Sequence, residues 1–80
     1  MALKLVFLGP LEDLAGAPER EVASAPSVSQ VLARLEPDLA AALSSARVKC
    51  ALNGAIVHDR DAEVLKSGDE LAFLPPVSGG

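Results

Sequence analysis

Residues 70–80 run Glu70-Leu71-Ala72-Phe73-Leu74-Pro75-Pro76-Val77-Ser78-Gly79-Gly80. In the first half, Leu71 and Phe73 alternate with Ala72 and Leu74, so an extended chain is apolar on both faces. A strand of that kind belongs in the middle of a sheet, covered on each side. Pro75 and Pro76 then remove two backbone donors and fix φ, which ends sheet pairing and directs the last residues away from the body. Val77, Ser78, Gly79 and Gly80 lack large side chains. Such a tail fits a narrow cleft, and its terminal carboxylate, rather than a side chain, is the expected reactive group. Two glycines at one given site arise by chance roughly once in 200 chains, and loose chain ends are ordinary. The weight therefore rests on the strand that leads into the tail and on the order of the other elements.

A second strand of the same character opens the chain. Leu3 to Leu8 is almost wholly apolar and stops at Gly9-Pro10. Leu3, Leu5 and Phe7 share one face; Lys4, Val6 and Leu8 share the other. Leu11 to Ala15 is expected to form a short helical turn closed by Gly16. Glu19 to Ser24 alternates weakly and pairs with the first strand. Ser27 is placed as an N-cap with Gln30 three residues on, and Val28, Val31, Leu32 and Leu35 follow at helical spacing. Pro37 interrupts that helix or begins another short turn, and Leu39 to Leu43 continues as helix. Arg47 to Leu52 is expected as the third strand, with Asn53-Gly54 as a tight turn into a return strand, Ala55 to Val57. Val64 and Leu65 are expected to be buried in an irregular stretch. Ser67-Gly68-Asp69 turns the chain into the last strand.

The predicted order is strand, strand, helix, strand, short strand, strand. One main helix against one face of a small mixed sheet is an α+β layer solution. With the first and last strands both central, it is the β-grasp, or ubiquitin-like, fold. Residues 1–80 make one domain, of which 75–80 are a projecting tail. There is no internal repeat and no linker.

Composition limits what such a domain does. Eighty residues support a modest core. A net charge of −4 argues against nucleic-acid binding, which requires clustered Lys and Arg. Cys50 is the only cysteine, so no disulfide framework forms and a reducing, cytoplasmic setting is expected. With His58 the only histidine, no zinc-ligand set exists, and no metal or bound cofactor is expected. Met1 to Lys4 lacks the character of a signal peptide, and no apolar run approaches the roughly 20 residues that cross a bilayer. No membrane partner is expected.

Among single residues, Cys50 shares a strand face with Val48 and Leu52 and is expected to be a buried structural thiol. A sulfur-relay thiol is the alternative, though nothing nearby lowers its pKa. His58 sits beside Asp59, Arg60 and Asp61 as a solvated loop residue. Glu12 and Asp13 are adjacent and exposed, without a partner for acid–base work. No Ser/His/Asp spacing or glycine-rich phosphate loop occurs. Val6, Leu8, Ala72 and Leu74 form the sheet face opposite the helix. They are either covered by a loop or tolerated as exposed apolar residues, or they form a docking patch. Apolar residues on both faces of two central strands favour the patch, and Ile56 is a further candidate for it.

Three segments together resemble the small-subunit family of molybdopterin synthase, the MoaD/ThiS-type ubiquitin-like sulfur carriers. They are Leu5-Val6-Phe7-Leu8 with Leu11-Glu12-Asp13-Leu14-Ala15-Gly16, then Ala51-Leu52-Asn53-Gly54, then Ser67 to Gly80. The region Glu19 to Ala46 carries little of the likeness. The resemblance implies a carrier whose terminal Gly80 is adenylated by a ubiquitin-activating-type (E1-like) adenylyltransferase using ATP, then converted to a thiocarboxylate by a sulfur-donating enzyme. Gly79, Ser78, Val77, Pro76 and Pro75 would thread into the partner. The large subunit would spend that sulfur on the dithiolene of molybdopterin, from a cyclic pyranopterin monophosphate, in an assembly of two small and two large subunits. By this reading the chain is not catalytic alone. Carriers for thiamine thiazole synthesis or tRNA thiolation, or for conjugation to lysines, are alternatives within the class. Outside it stands a β-grasp interaction domain that never uses its terminus.

Overall fold

The computed structural model describes residues 2–76. The elements, in chain order, are β1 (Ala2–Phe7), α1 (Pro10–Ala15), β2 (Glu19–Ala23), α2 (Val28–Leu32), α3 (Pro37–Leu43), β3 (Lys49–Leu52), β4 (Ala55–Ile56) and β5 (Glu70–Leu74). They build one five-stranded sheet in the order β2-β1-β5-β3-β4. The chain's first and last strands lie side by side and parallel, with Leu5 opposite Leu71 and Phe7 opposite Phe73. The other pairings are antiparallel. This is the α+β, β-grasp arrangement expected from the alternation of the two apolar strands.

The core forms on one face of that sheet. Leu3, Leu5 and Phe7 of β1, Leu71 and Phe73 of β5, and Cys50 of β3 are all buried there. From the other side, Val28, Val31 and Leu32 of α2 and Leu39 and Leu43 of α3 close onto them. Each such large side chain contributes about 1.5–3 kcal/mol by leaving water. Phe7 and Phe73 stack at the centre, with ring centroids 5.9 Å apart and planes inclined by 12°.

The helical layer is divided rather than continuous. Ser27 caps α2 as its spacing implied, its Oγ accepting from the Gln30 N–H at 3.3 Å. The helix ends at Leu32, and Pro37 takes a first-turn position of α3, where its missing N–H costs nothing. Of the two roles open to Pro37, the second is the one adopted. Arg20 of β2 holds this break in place. Its guanidinium donates to both carboxylate oxygens of Glu36 at 2.6 and 3.1 Å, and to the Ala15 carbonyl at the end of α1 at 3.1 Å.

Three local expectations change. β3 begins at Lys49 rather than Arg47, because the Arg47 N–H is taken by Ser45 Oγ and the Val48 N–H by the Ser45 carbonyl, both turn bonds. Val57 falls just outside β4, although it is buried and donates to the Cys50 carbonyl at 2.9 Å. Val64 is not buried but 69% exposed. Its neighbour Leu65 donates its N–H to the Pro26 carbonyl at 3.0 Å and turns into the core. In a locally extended chain that turns Val64 outward.

The start of β5 is bolted to the β3–β4 hairpin. Asn53 and Gly54 both have positive φ, 50° and 89°, as the tight hairpin turn requires. From there, Asn53 Oδ1 accepts from the Glu70 N–H at 2.9 Å while Nδ2 donates to Asp69 Oδ1 at 3.0 Å. Asp69 Oδ2 accepts from the Lys66 N–H at 2.8 Å. Among the described residues, no helix is long and apolar enough to cross a membrane.

Hydrogen bonding to charged forms gives the fold a pH dependence. The Arg20 guanidinium holds the Glu36 carboxyl below its ordinary value, and Asn53 followed by the Lys66 N–H does the same for Asp69. Both folded values are depressed, so the unfolded chain binds more protons in the acid range. The stabilisation is present at neutral pH, above the unfolded values, and is lost as pH falls through the folded ones. Glu36 is exposed and Asp69 only half-buried, which keeps the effect small. Thermal melts from neutral pH into the carboxylate range should show a falling midpoint. The decline should be shallower in Glu36→Gln.

Candidate functional site

The sheet face away from the core carries a line of small and apolar residues. Register places Val6 of β1 opposite Ala72 of β5, Ala72 opposite Ala51 of β3, and Ala51 opposite Ile56 of β4. The row therefore crosses four strands, and Glu19 of β2 ends it opposite Val6. Nearer the exit of β5, Leu74 lies opposite Lys49. Leu8, just past β1, extends the ladder by donating its N–H to the Phe73 carbonyl at 3.2 Å.

Exposure varies along this face, and Ala51 within the row is buried. Leu8 is 41% and Ile56 47% exposed, while Val6, Ala72 and Leu74 are half-buried. All five expected patch residues thus lie on one face, and Ile56 joins through its register partner Ala51. Ala51 itself was missed by the sequence reading. The signal was present, because strict alternation with inward-facing Cys50 puts Ala51 outward. The far end of the face is charged: Lys4 Nζ lies 3.3 Å from Glu19 Oε2 and 4.0 Å from Glu70 Oε1, with Glu21 opposite Lys4. The result is an apolar strip with an acidic border on the β2 side and a lysine beside the β5 exit.

Pro75 and Pro76 follow the last paired residue directly, Pro75 half-buried and Pro76 exposed. The remaining tail residues named from sequence, Val77, Ser78, Gly79 and Gly80, lie outside the described residues.

Among the described residues, no group of three or more His, Cys, Asp and Glu side chains is placed to hold a metal ion. Cys50 is 1% exposed, and burial pushes its thiol upward, against the opposing pull of Arg60. That guanidinium donates to the Leu43 and Val48 carbonyls at 2.6 and 2.7 Å, a structural task. A groove of about 380 Å³ between α2 and α3 carries Arg60 as its one ionisable lining residue. Glu12, Asp13 and His58 are exposed.

The described residues thus form a ubiquitin-like, β-grasp sheet with an apolar outer face, whose central strand leads into Pro75 and Pro76. Comparison with known proteins agrees: the chain belongs to the ThiS family, whose model matches residues 5–80. A molybdopterin synthase sulfur carrier subunit from Chlamydomonas reinhardtii is 36% identical, with all of both chains aligned. Among solved structures, the small archaeal modifier protein 1 (SAMP1) of Methanosarcina acetivorans superposes with a TM-score of 0.79 at 28% identity, covering 99% of this chain and 96% of that one. A chain in the complex of subunits 1 and 2 of the molybdopterin-converting factor from Helicobacter pylori gives 0.72 at 25% identity, with full coverage of both.

If Cys50 is structural, the folded protein should resist alkylation by iodoacetamide at neutral pH and label fully in denaturant. Labelling of the native chain at the rate of a free thiol would contradict its burial.

Proposed function

We propose that this chain is the sulfur carrier subunit of a molybdopterin synthase, with Gly80 as the group that is activated. The observation that carries this reading is the 36% identity to such a subunit over the whole length of both chains. The outer sheet face supplies the docking surface a carrier needs: Val6, Leu8, Ile56, Ala72 and Leu74, with Ala51 between them.

The chemistry matches a tail without reactive side chains. A carboxylate is a poor acyl donor because its charge repels nucleophiles. Attack of the Gly80 carboxylate on the α-phosphorus of ATP forms an acyl adenylate and releases pyrophosphate. The terminal sulfur of a donating enzyme's persulfide then displaces AMP, and a second thiol cleaves the resulting acyl disulfide, forming a disulfide with the donor and releasing a thiocarboxylate that is strongly nucleophilic at neutral pH. Glycines at 79 and 80 let the backbone approach the nucleotide closely. ATP is bound by the E1-like adenylyltransferase, not by this chain. The synthase large subunit receives the loaded tail, in an assembly of two small and two large subunits, and builds the dithiolene from cyclic pyranopterin monophosphate. The carrier is therefore not catalytic alone, and its workplace is the cytoplasm. The likeness to a small archaeal modifier supports a second reading, in which the activated terminus also acylates lysines. Carriers for thiamine thiazole synthesis or tRNA thiolation share the chemistry and differ in the acceptor.

Deletion of Gly80 should abolish sulfur transfer while leaving the thermal midpoint unchanged, and one added residue after Gly80 should do the same. A chain ending at Gly79 that still supports dithiolene formation would refute the assignment. Intact mass of protein from its own cell should show oxygen-to-sulfur exchange at the terminus.

Leu74→Asp should weaken binding to the large subunit by at least tenfold, about 1.4 kcal/mol, with a smaller loss of folding stability. Titration calorimetry set beside urea denaturation separates the two. Unchanged affinity would exclude the outer face as the docking surface.

A further inference from the structure

The β1–α1 junction lies against the root of the tail. β1 and β5 are parallel, so both end at the same edge of the sheet, and the Leu8 N–H to Phe73 carbonyl bond carries their pairing one step further. Continuing that register sets Gly9 abreast of Pro75. Gly9 adopts φ 56° and ψ −133°, the mirror image of extended backbone. Residues with a Cβ avoid that region. It forms a reverse turn closed by the Leu11 N–H to the Leu8 carbonyl at 3.2 Å, and its own carbonyl accepts from Glu12 N–H at 3.1 Å. The turn swings α1 back so that Leu11 enters the core. A Cβ placed on Gly9 would come within 3.3 Å of Pro75 Cγ, a contact the ring could relieve only by moving. The other described positive-φ glycines, Gly16, Gly54 and Gly68, meet nothing within 4 Å.

We propose that Gly9 is a positioning residue for the donor tail: its bare Cα seats the Pro75 ring and so sets the direction in which the chain leaves β5. This role rests on the carrier reading, because only a tail delivered to a partner's active site has an aim to keep. Gly9 is not part of the tail itself. It acts through Pro75, about five residues from the reaction, where an error of about 1 Å at the reacting centre can cost 100-fold in rate.

The full-length chain, the cognate ubiquitin-activating-type enzyme, ATP and hydroxylamine to discharge the acyl adenylate are sufficient for the test, read by steady-state pyrophosphate release well below each variant's melting temperature. Gly9→Ala should lower the melting temperature through its positive φ and also lower kcat by about tenfold or more. KM, set by the outer face, should move little. Pro75→Ala leaves Gly9 unstrained; it should lower kcat in the same direction with an unchanged melting temperature. This keeps the test open should Gly9→Ala fold poorly. The double variant should be no worse than the poorer single one, because both act through one contact. Wild-type protein that is adenylated while the folded variants keep its kcat would overturn the role of Gly9 alone, as would losses that multiply in the double variant. Wild-type protein that releases no pyrophosphate would instead overturn the carrier reading, and this role with it.

Discussion

The parallel pairing of β1 with β5 is the constraint on which the rest of the molecule depends. It brings residues 66 positions apart in sequence to the centre of one sheet, and the stacked rings of Phe7 and Phe73 lock the register there. A one-residue slip would exchange Phe73 for Ala72 or Leu74 on the core side and leave an aromatic ring on the surface. Because the strands are parallel, the exit of β5 lies beside the exit of β1. The tail's point of departure is thereby fixed by a buried contact, not by the loops.

The same pairing explains why the outer face is apolar. A strand at the centre of a sheet has two neighbours to satisfy its backbone, and its outward side chains are free to serve a partner. Val6 and Ala72 sit side by side on such strands, while β2 at the edge turns outward the charged Glu19 and Glu21. Charge at an edge discourages unwanted strand addition. An apolar centre with a charged rim also resembles the anatomy of a protein interface.

Much of this was legible in the sequence because two signals agreed. Apolar residues on both faces of Leu3–Leu8 and Glu70–Leu74 demand central strands, and Asn53-Gly54 demands a tight hairpin turn. What escaped depended on long-range contacts. The break between α2 and α3 is held by Arg20, which lies on a strand 16 residues before Glu36. Val64 and Leu65 have the same apolar character, and only the Leu65 bond to Pro26 decides which one turns inward. The shared outer face of Val6, Leu8, Ala72 and Leu74 followed from alternation alone. Ala51 was overlooked because a small residue draws no attention, although it connects Ile56 to the others.

The segments that carry the family likeness prove to be physically coupled. Ala51-Leu52-Asn53-Gly54 and Ser67-Gly68-Asp69-Glu70 are far apart in sequence, yet the Asn53 side chain bonds both Glu70 N–H and Asp69. The Gly68 N–H donates to the Ala2 carbonyl at 2.8 Å, and the Lys4 N–H donates to the Asp69 carbonyl at 3.0 Å, so the same turn also anchors β1. One end of β5 is therefore fixed by hydrogen bonds to the hairpin and to β1. The other end is set by the packing of Phe73 against Phe7 and by the Leu8 N–H bond to the Phe73 carbonyl. In the proposed carrier, the fold itself would serve as the positioning device that an enzyme builds from side chains around its active site.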